Sequence, residues 1–299
     1  MSDARFSELI AGYTFLEGPR WHDDRLWLSD FYTQQVLAVD SNGRAETMAH
    51  VPQQPSGLGW LPDGRLLMVS MRDHRILRRE RDGLVVQHAD LSDVTGGHAN
   101  DMVVDAQGRA YVGNFGFDLM GGGTPAKANL ARVDPDGSVH VVAQELYFPN
   151  GAMLSPDGKT LMVCETMGNR ISSFEVQANG RLGPRRDWAA WAPPPAMRDV
   201  PGVMAKLLMA PDGAALDAEG AIWFADAVGN RAIRMAPGGA ILEEISTGNM
   251  GCFALTLGGP DRRTLFLCVA PDFHEQARAT NRAAAIWTCQ VRVPGAGRP

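Results

Sequence analysis

No stretch of the 299-residue chain approaches the run of about eighteen apolar residues that a membrane-spanning helix needs. The opening residues, MSDARFSELIAGYTF, have no basic region followed by an apolar one, so no secretory leader is expected and a cytoplasmic protein is predicted. Lys/Arg clusters long enough to follow a phosphate backbone are missing, and the net charge is −6, which argues against nucleic acid as a partner. Cysteine is scarce. The four residues Cys164, Cys252, Cys268 and Cys289 lack CxxC spacing and lie mostly in apolar runs, which predicts reduced core thiols rather than a zinc knuckle or a disulfide framework. There is no GxSxG nucleophile elbow, and Cys252 has no base beside it in its own motif, so covalent acyl catalysis is not expected. Long helical periodicity is absent too; the best candidate, HEQARATNRAAAIW, runs into a β-like tail. The remaining balance, 45% hydrophobic and 21% charged, suits a soluble chain able to bury a sizeable core.

What is present is repetition. Six hairpin turns, HDDR (22–25), LPDGR (61–65), DAQGR (105–109), SPDGK (155–159), DAEGA (217–221) and GPDRR (259–263), are each followed by a short apolar strand. Most units continue with a third strand and then a fourth. A four-stranded antiparallel unit recurring six times predicts an all-β, six-bladed β-propeller, folded as one domain over 1–299 because a blade cannot bury both its faces alone. The segment ARFSELIAGYTF is expected to close the ring by adding a strand to the last blade. Two Pro- or Gly-rich excursions, 115–129 and 188–208, interrupt the period and read as rim or lid segments.

Aligning the hairpins gives each unit a common slot just ahead of its innermost strand: Glu17, Ser56, Asn100, Asn150, Asp212 and Cys252. These six are predicted to face one another at one mouth of the central channel. Asn150-Gly151 is thereby read as a repeated slot, with the glycine letting backbones crowd at the axis, whereas Asp157-Gly158 is an ordinary hairpin turn. Two carboxylates and two amides converging on an axis present hard oxygens and would repel unless a cation or a shared proton lay between them. A divalent ion held by Glu17, Asn150 and Asp212 is the economical solution. Oxygen ligation places calcium first, with magnesium or manganese next and zinc or iron(II) as further possibilities.

The stretches EGPRW, ANDMVVDAQGRAYVG, PNGAMLSPDGKTLMVCET and PDGAALDAEGAIWFAD resemble the senescence-marker-protein/gluconolactonase/luciferin-regenerating-enzyme family over about residues 13–290. That resemblance implies Glu17, Asn150 and Asp212 as metal ligands, Asn100 as a contact to substrate or to a water on the metal, and Asp212 as the general base. It also implies a metal-dependent hydrolase acting on a small-molecule lactone or related cyclic ester, a carboxylic ester hydrolase. The chain departs from the family's sugar lactonases two positions before the motif asparagine, where His98 replaces an arginine. With His98, the residues Phe115, Phe117, Met167 and His274 are the substrate-binding candidates, and Phe148 and Met120 add to an apolar surround that suggests a less polar substrate ring. Two other readings stay open: a metal-dependent arylesterase, organophosphate or epoxide hydrolase with the same pocket, and a non-catalytic propeller with a structural ion.

Overall fold

The computed structural model describes residues 6–297. It contains six four-stranded sheets, and in each the chain meanders through successive antiparallel strands. Blade one holds β2 (Leu16–His22), β3 (Arg25–Asp30), β4 (Gln35–Val39) and β5 (Ala45–His50). Blade two holds β6 (Pro55–Trp60), β7 (Leu66–Ser70), β8 (Arg75–Arg79) and β9 (Val85–Asp90). Blade three holds β10 (Ala99–Val104), β11 (Ala110–Asn114), β12 (Ala128–Val133) and β13 (Val139–Leu146). Blade four holds β14 (Pro149–Leu154), β15 (Thr160–Glu165), β16 (Arg170–Glu175) and β17 (Arg186–Ala190). Blade five holds β18 (Pro211–Leu216), β19 (Ile222–Asp226), β20 (Arg231–Met235) and β21 (Ile241–Ser246). Blade six is built from β22 (Gly251–Gly258), β23 (Thr264–Ala270) and β24 (Ala284–Gln290), with its outer strand supplied by β1 (Ser7–Tyr13) from the far end of the chain.

That last pairing is the expected closure: Ser7 lies opposite Thr288 and Ile10 opposite Ile286, and Phe6 packs its ring 5.3 Å from that of Trp287. Ala4 and Arg5 of the predicted closing segment lie outside the described residues. The burial gradient explains the architecture. Inner and second strands such as β14 and β7 are buried at every residue, while the outer strands alternate or face solvent, so each blade hides its inner part between neighbours. The four cysteines are buried thiols. Among the described residues no helix is long and apolar enough to cross a membrane.

The tight turns explain themselves at the backbone. In the template sequence glycine takes the left-handed position, as Gly158 does at φ +69°, whereas the two hairpins without it force Asp24 to +56° and Arg262 to +58°. Both excursions need adjusted boundaries. The first occupies 115–127, because Ala128 and Asn129 already pair as β12. The second begins at 191 rather than 188, because Trp188–Ala190 complete β17, where Ala190 lies opposite Arg170; a helix, α1 (Val200–Met204), follows, capped by the Asp199 side chain at 2.7 Å from Gly202 N. A second helix, α2 (Glu275–Thr280), sits in the 271–283 connection of blade six. All three excursions emerge on the face where the inner strands begin.

Because β1 covers the edge of β24 and buries Ile10, deleting residues 1–13 is expected to cost about 2–4 kcal/mol through lost burial and ladder hydrogen bonds. Thermal and urea denaturation should show a midpoint several degrees lower and greater aggregation from the bared edge; an unchanged midpoint would contradict the closure.

Candidate active site

The six slot residues are each the second residue of an inner strand, not the residue ahead of it: Glu17 in β2, Ser56 in β6, Asn100 in β10, Asn150 in β14, Asp212 in β18 and Cys252 in β22. Each strand starts two residues nearer the mouth than its apolar pattern suggests, and every inner strand breaks register at the slot. The shifts fall at Glu17/Arg20, Pro55/Leu58, Ala99/Met102, Pro149/Ala152, Pro211/Ala214 and Cys252/Ala254. Such a bulge re-aims side chains and ends regular pairing. Close approach of the backbones does the rest: a Cβ on Gly151 would lie 2.4 Å from the carbonyl oxygen of Asp212, so only glycine lets blade four reach blade five there.

Direct contacts join neighbouring slots. The Asn150 amide Nδ2 donates to Asp212 Oδ1, and the Ser56 hydroxyl donates to Asn100 Oδ1 at 3.0 Å. Glu17 Oε2 accepts from the Gly18 amide at 3.0 Å. Enclosure of Glu17 pushes its carboxyl up to about 8, with the Gly18 N–H and Arg20 opposing and the Asp101 charge reinforcing. Burial likewise raises Asp212 well above the carboxylate range, and the charges of Glu17 and then Asp101 add to it. The two acids therefore oppose each other's ionisation.

That donor set fits a hard dication, which would relieve both penalties while accepting carboxylate and amide oxygens. Among the described residues no three His, Cys, Asp or Glu side chains form a metal-holding cluster, so Cys252 does not join Glu17 and Asp212 as a third such ligand. A site here depends on amide oxygen from Asn150.

Behind the three candidate ligands stand three more acids. Asp30, Glu165 and Asp226 close the second strands of blades one, four and five, and each is fully buried. Asp30 Oδ1 accepts from Phe15 N at 3.0 Å, Glu165 Oε2 from Tyr147 N at 2.8 Å and Asp226 Oδ1 from Ala210 N at 2.9 Å. Each carboxylate thus pins the backbone two or three residues ahead of a candidate ligand. Blades two, three and six have Ser70, Asn114 and Ala270 in that place. A second buried feature lies at the same level of the channel. Arg20 pairs with Asp101 at 2.6 Å and donates to Met102 O and Pro19 O. Asp101 occupies the position that is glycine in four blades (Gly18, Gly57, Gly151, Gly213). Neither group stands out by hydrophobic periodicity, although the broken glycine pattern at Asp101 and the acids ending LWLSD, TLMVCE and IWFAD are visible in the sequence.

The substrate-binding candidates divide. His98 stands two residues before Asn100, its Nδ1 buried without a hydrogen-bond partner, its ring 5.7 Å from Phe115 and 6.5 Å from His74. Burial and then the Arg72 charge hold it below the usual histidine value, hence neutral. Phe115 in turn packs 4.5 Å from Phe148. Phe117 and Met167 are buried in the same apolar cluster. His274 is exposed at the start of α2, with its ring 5.1 Å from Phe273. Met120 and Phe273 are exposed on the same face.

The raised carboxyls give a sign to the pH dependence. A carboxyl that binds its proton more tightly when folded makes the native state lose stability as pH rises from the unfolded value, near 4.5, through about 8. In chelator, the melting temperature should fall between pH 5.5 and 8.5, and millimolar calcium should abolish most of that fall; a flat profile without the cation would refute the picture.

The profile of the SMP-30/Gluconolactonase/LRE-like region matches residues 15–271. A 6-deoxy-6-sulfogluconolactonase of Pseudomonas putida is 28% identical over 204 residues, covering 67% of this chain and 64% of that protein, just under two thirds of its length. A pentonolactonase of Haloferax volcanii is 27% identical over 260 residues, 85% of this chain and 81% of the relative. In fold, the crystal structure of regucalcin from Agrobacterium tumefaciens, described as a calcium-binding protein, superposes with a TM-score of 0.79 at 21% identity, covering 99% of this chain and 96% of the other. With the profile spanning most of the chain, this protein belongs to the SMP-30/gluconolactonase/LRE-like family.

Proposed function

We propose that the protein is a cation-dependent lactonase whose reacting centre is the ring of Glu17, Asn100, Asn150 and Asp212. The observation that carries this reading is the convergence of two mutually opposed carboxylates and an amide, from blades one, four and five, at one mouth. Fold stability gives no reason to gather them there, since each raises the cost of the other. The lactonases among its sequence relatives support the same reaction class.

Glu17, Asn150 and Asp212 would hold the ion, and their oxygen chemistry favours calcium. When bound, a divalent cation there supplies a Lewis acid for the ester carbonyl and keeps both carboxyls ionised. The chain's own residues then account for the rest. Asp212 accepts a proton from water as the water oxygen bonds to the carbonyl carbon, and returns it to the ring oxygen as the ester C–O bond breaks, leaving a hydroxy acid. Asn100, whose Oδ1 is engaged by the Ser56 hydroxyl, keeps its amide nitrogen as a donor for the water or the substrate. Phe115, Phe117, Phe148 and Met167 exclude solvent from one side of the mouth. Asp30, Glu165 and Asp226 keep the ligand-bearing strand starts in place.

A panel of small lactones assayed with and without chelator tests the proposal. Turnover should vanish in chelator and return with calcium. Asp212→Asn should lower kcat by about two to four orders of magnitude while the protein still melts cooperatively. Retained ion with near wild-type turnover in that variant would remove Asp212 as the base; inert wild type with bound ion would leave a structural cation in a scaffold.

A further inference from the structure

One tier above the ring, the residues two positions ahead of each slot are Phe15, Gln54, His98, Phe148, Ala210 and Met250. Four are apolar. The polar pair, Gln54 and His98, falls on the adjacent blades two and three, and the turn that follows β7 brings Arg72 to the same sector. Backbone bonds fix that turn there: Arg72 N donates to Gln53 O at 3.0 Å, Met71 N to Gln54 O at 2.8 Å, and Ala99 N to Met71 O at 3.3 Å. Gln54 is buried and its Oε1 accepts from Arg72 Nε at 2.8 Å, which orients the guanidinium. Arg72 is near enough to His98 for its charge to disfavour the imidazolium.

The other end of that guanidinium meets a carboxylate from 203 residues away: Nη2 contacts Glu275 at the start of α2, in the blade-six connection. The pair is exposed, 40% and 38% on its two side chains, so it contributes little in water and exchanges readily. Arg72 is therefore a cation held in place over blades two and three, and Glu275 occupies it as a carboxylate from the protein itself.

We propose that Arg72, oriented by Gln54, is the specificity-determining residue for an anionic substituent, so that the preferred substrate is a lactone bearing a carboxylate or sulfonate that displaces Glu275 from the guanidinium. The bidentate geometry of a guanidinium suits either oxyanion, and neutral His98 beside it adds a hydrogen-bonding nitrogen without a second charge. The apolar remainder of the tier packs the uncharged face of the ring. This proposal rests on the lactonase reading for its reaction but not for its binding step.

The test compares kcat/KM for a γ-lactone bearing a ring carboxylate, its sulfonate analogue and its neutral methyl ester, in wild type, Arg72→Gln and Glu275→Gln. The ratio of either anionic lactone to the ester should drop about tenfold or more in Arg72→Gln. In Glu275→Gln, KM for the anionic substrates should fall. A ratio unchanged by Arg72→Gln, or a KM unchanged or raised by Glu275→Gln, overturns the assignment. If wild type hydrolyses none of the three, the lactonase reading fails by itself. The anion site is then decided by calorimetry with the carboxylate-bearing lactam: binding weakened about tenfold by Arg72→Gln upholds it, and equal binding or none refutes it.

Discussion

The arrangement depends on an unfavourable interaction: two carboxylates, Glu17 and Asp212, enclosed at one end of a channel where each resists the other's ionisation. Such a pair persists because the surrounding backbone leaves it no alternative. Inner strands are buried along their length, their register breaks at the slot, and the glycine after four of the slots brings neighbouring blades nearly into contact. Three buried acids behind the ring hold the strand starts through backbone N–H groups. The electrostatic cost at the mouth is therefore sustained by packing elsewhere, which is the usual relation between a reactive site and its scaffold.

The protein does not distribute this support evenly. Carboxylates at the ends of the second strands occur in blades one, four and five, the blades that carry Glu17, Asn150 and Asp212, while the other three have a serine, an asparagine and an alanine there. The second tier is uneven as well, polar over blades two and three and apolar over the rest. A ring with sixfold architecture thus acquires a direction across its mouth, with Glu17, Asn150 and Asp212 toward one side and Arg72 with His98 toward the other. The buried Arg20–Asp101 pair gives the channel a fixed cation next to the acids without opening it to solvent.

Much of this was legible because a propeller repeats. Turn chemistry and alternating apolar strands, read six times, located the blades and the six slots, and even the closing strand β1. The misplacements have local causes. Bulged inner strands continue past the point where hydrophobic alternation stops, so the slots lie inside strands rather than ahead of them. The second excursion begins late because Trp188–Ala190 pair with β16, a partner that composition does not reveal. Contacts between connections of different blades were out of reach for a more basic reason. Arg72 and Glu275 meet across 203 residues, and no period in the sequence links a turn after β7 to the start of α2.

The strand borrowed by blade six has a temporal consequence. Residue 7 pairs with residue 288, so the toroid stays open until β24 is available, and contacts of such long sequence separation form late. Glu17 belongs to the first blade and Asp212 to the fifth, so the two acids meet across the blade that β1 and β24 complete. Capture of a cation by a nascent chain would then report completion of the circle, and a polypeptide released before β24 would be left with unmatched halves of the mouth.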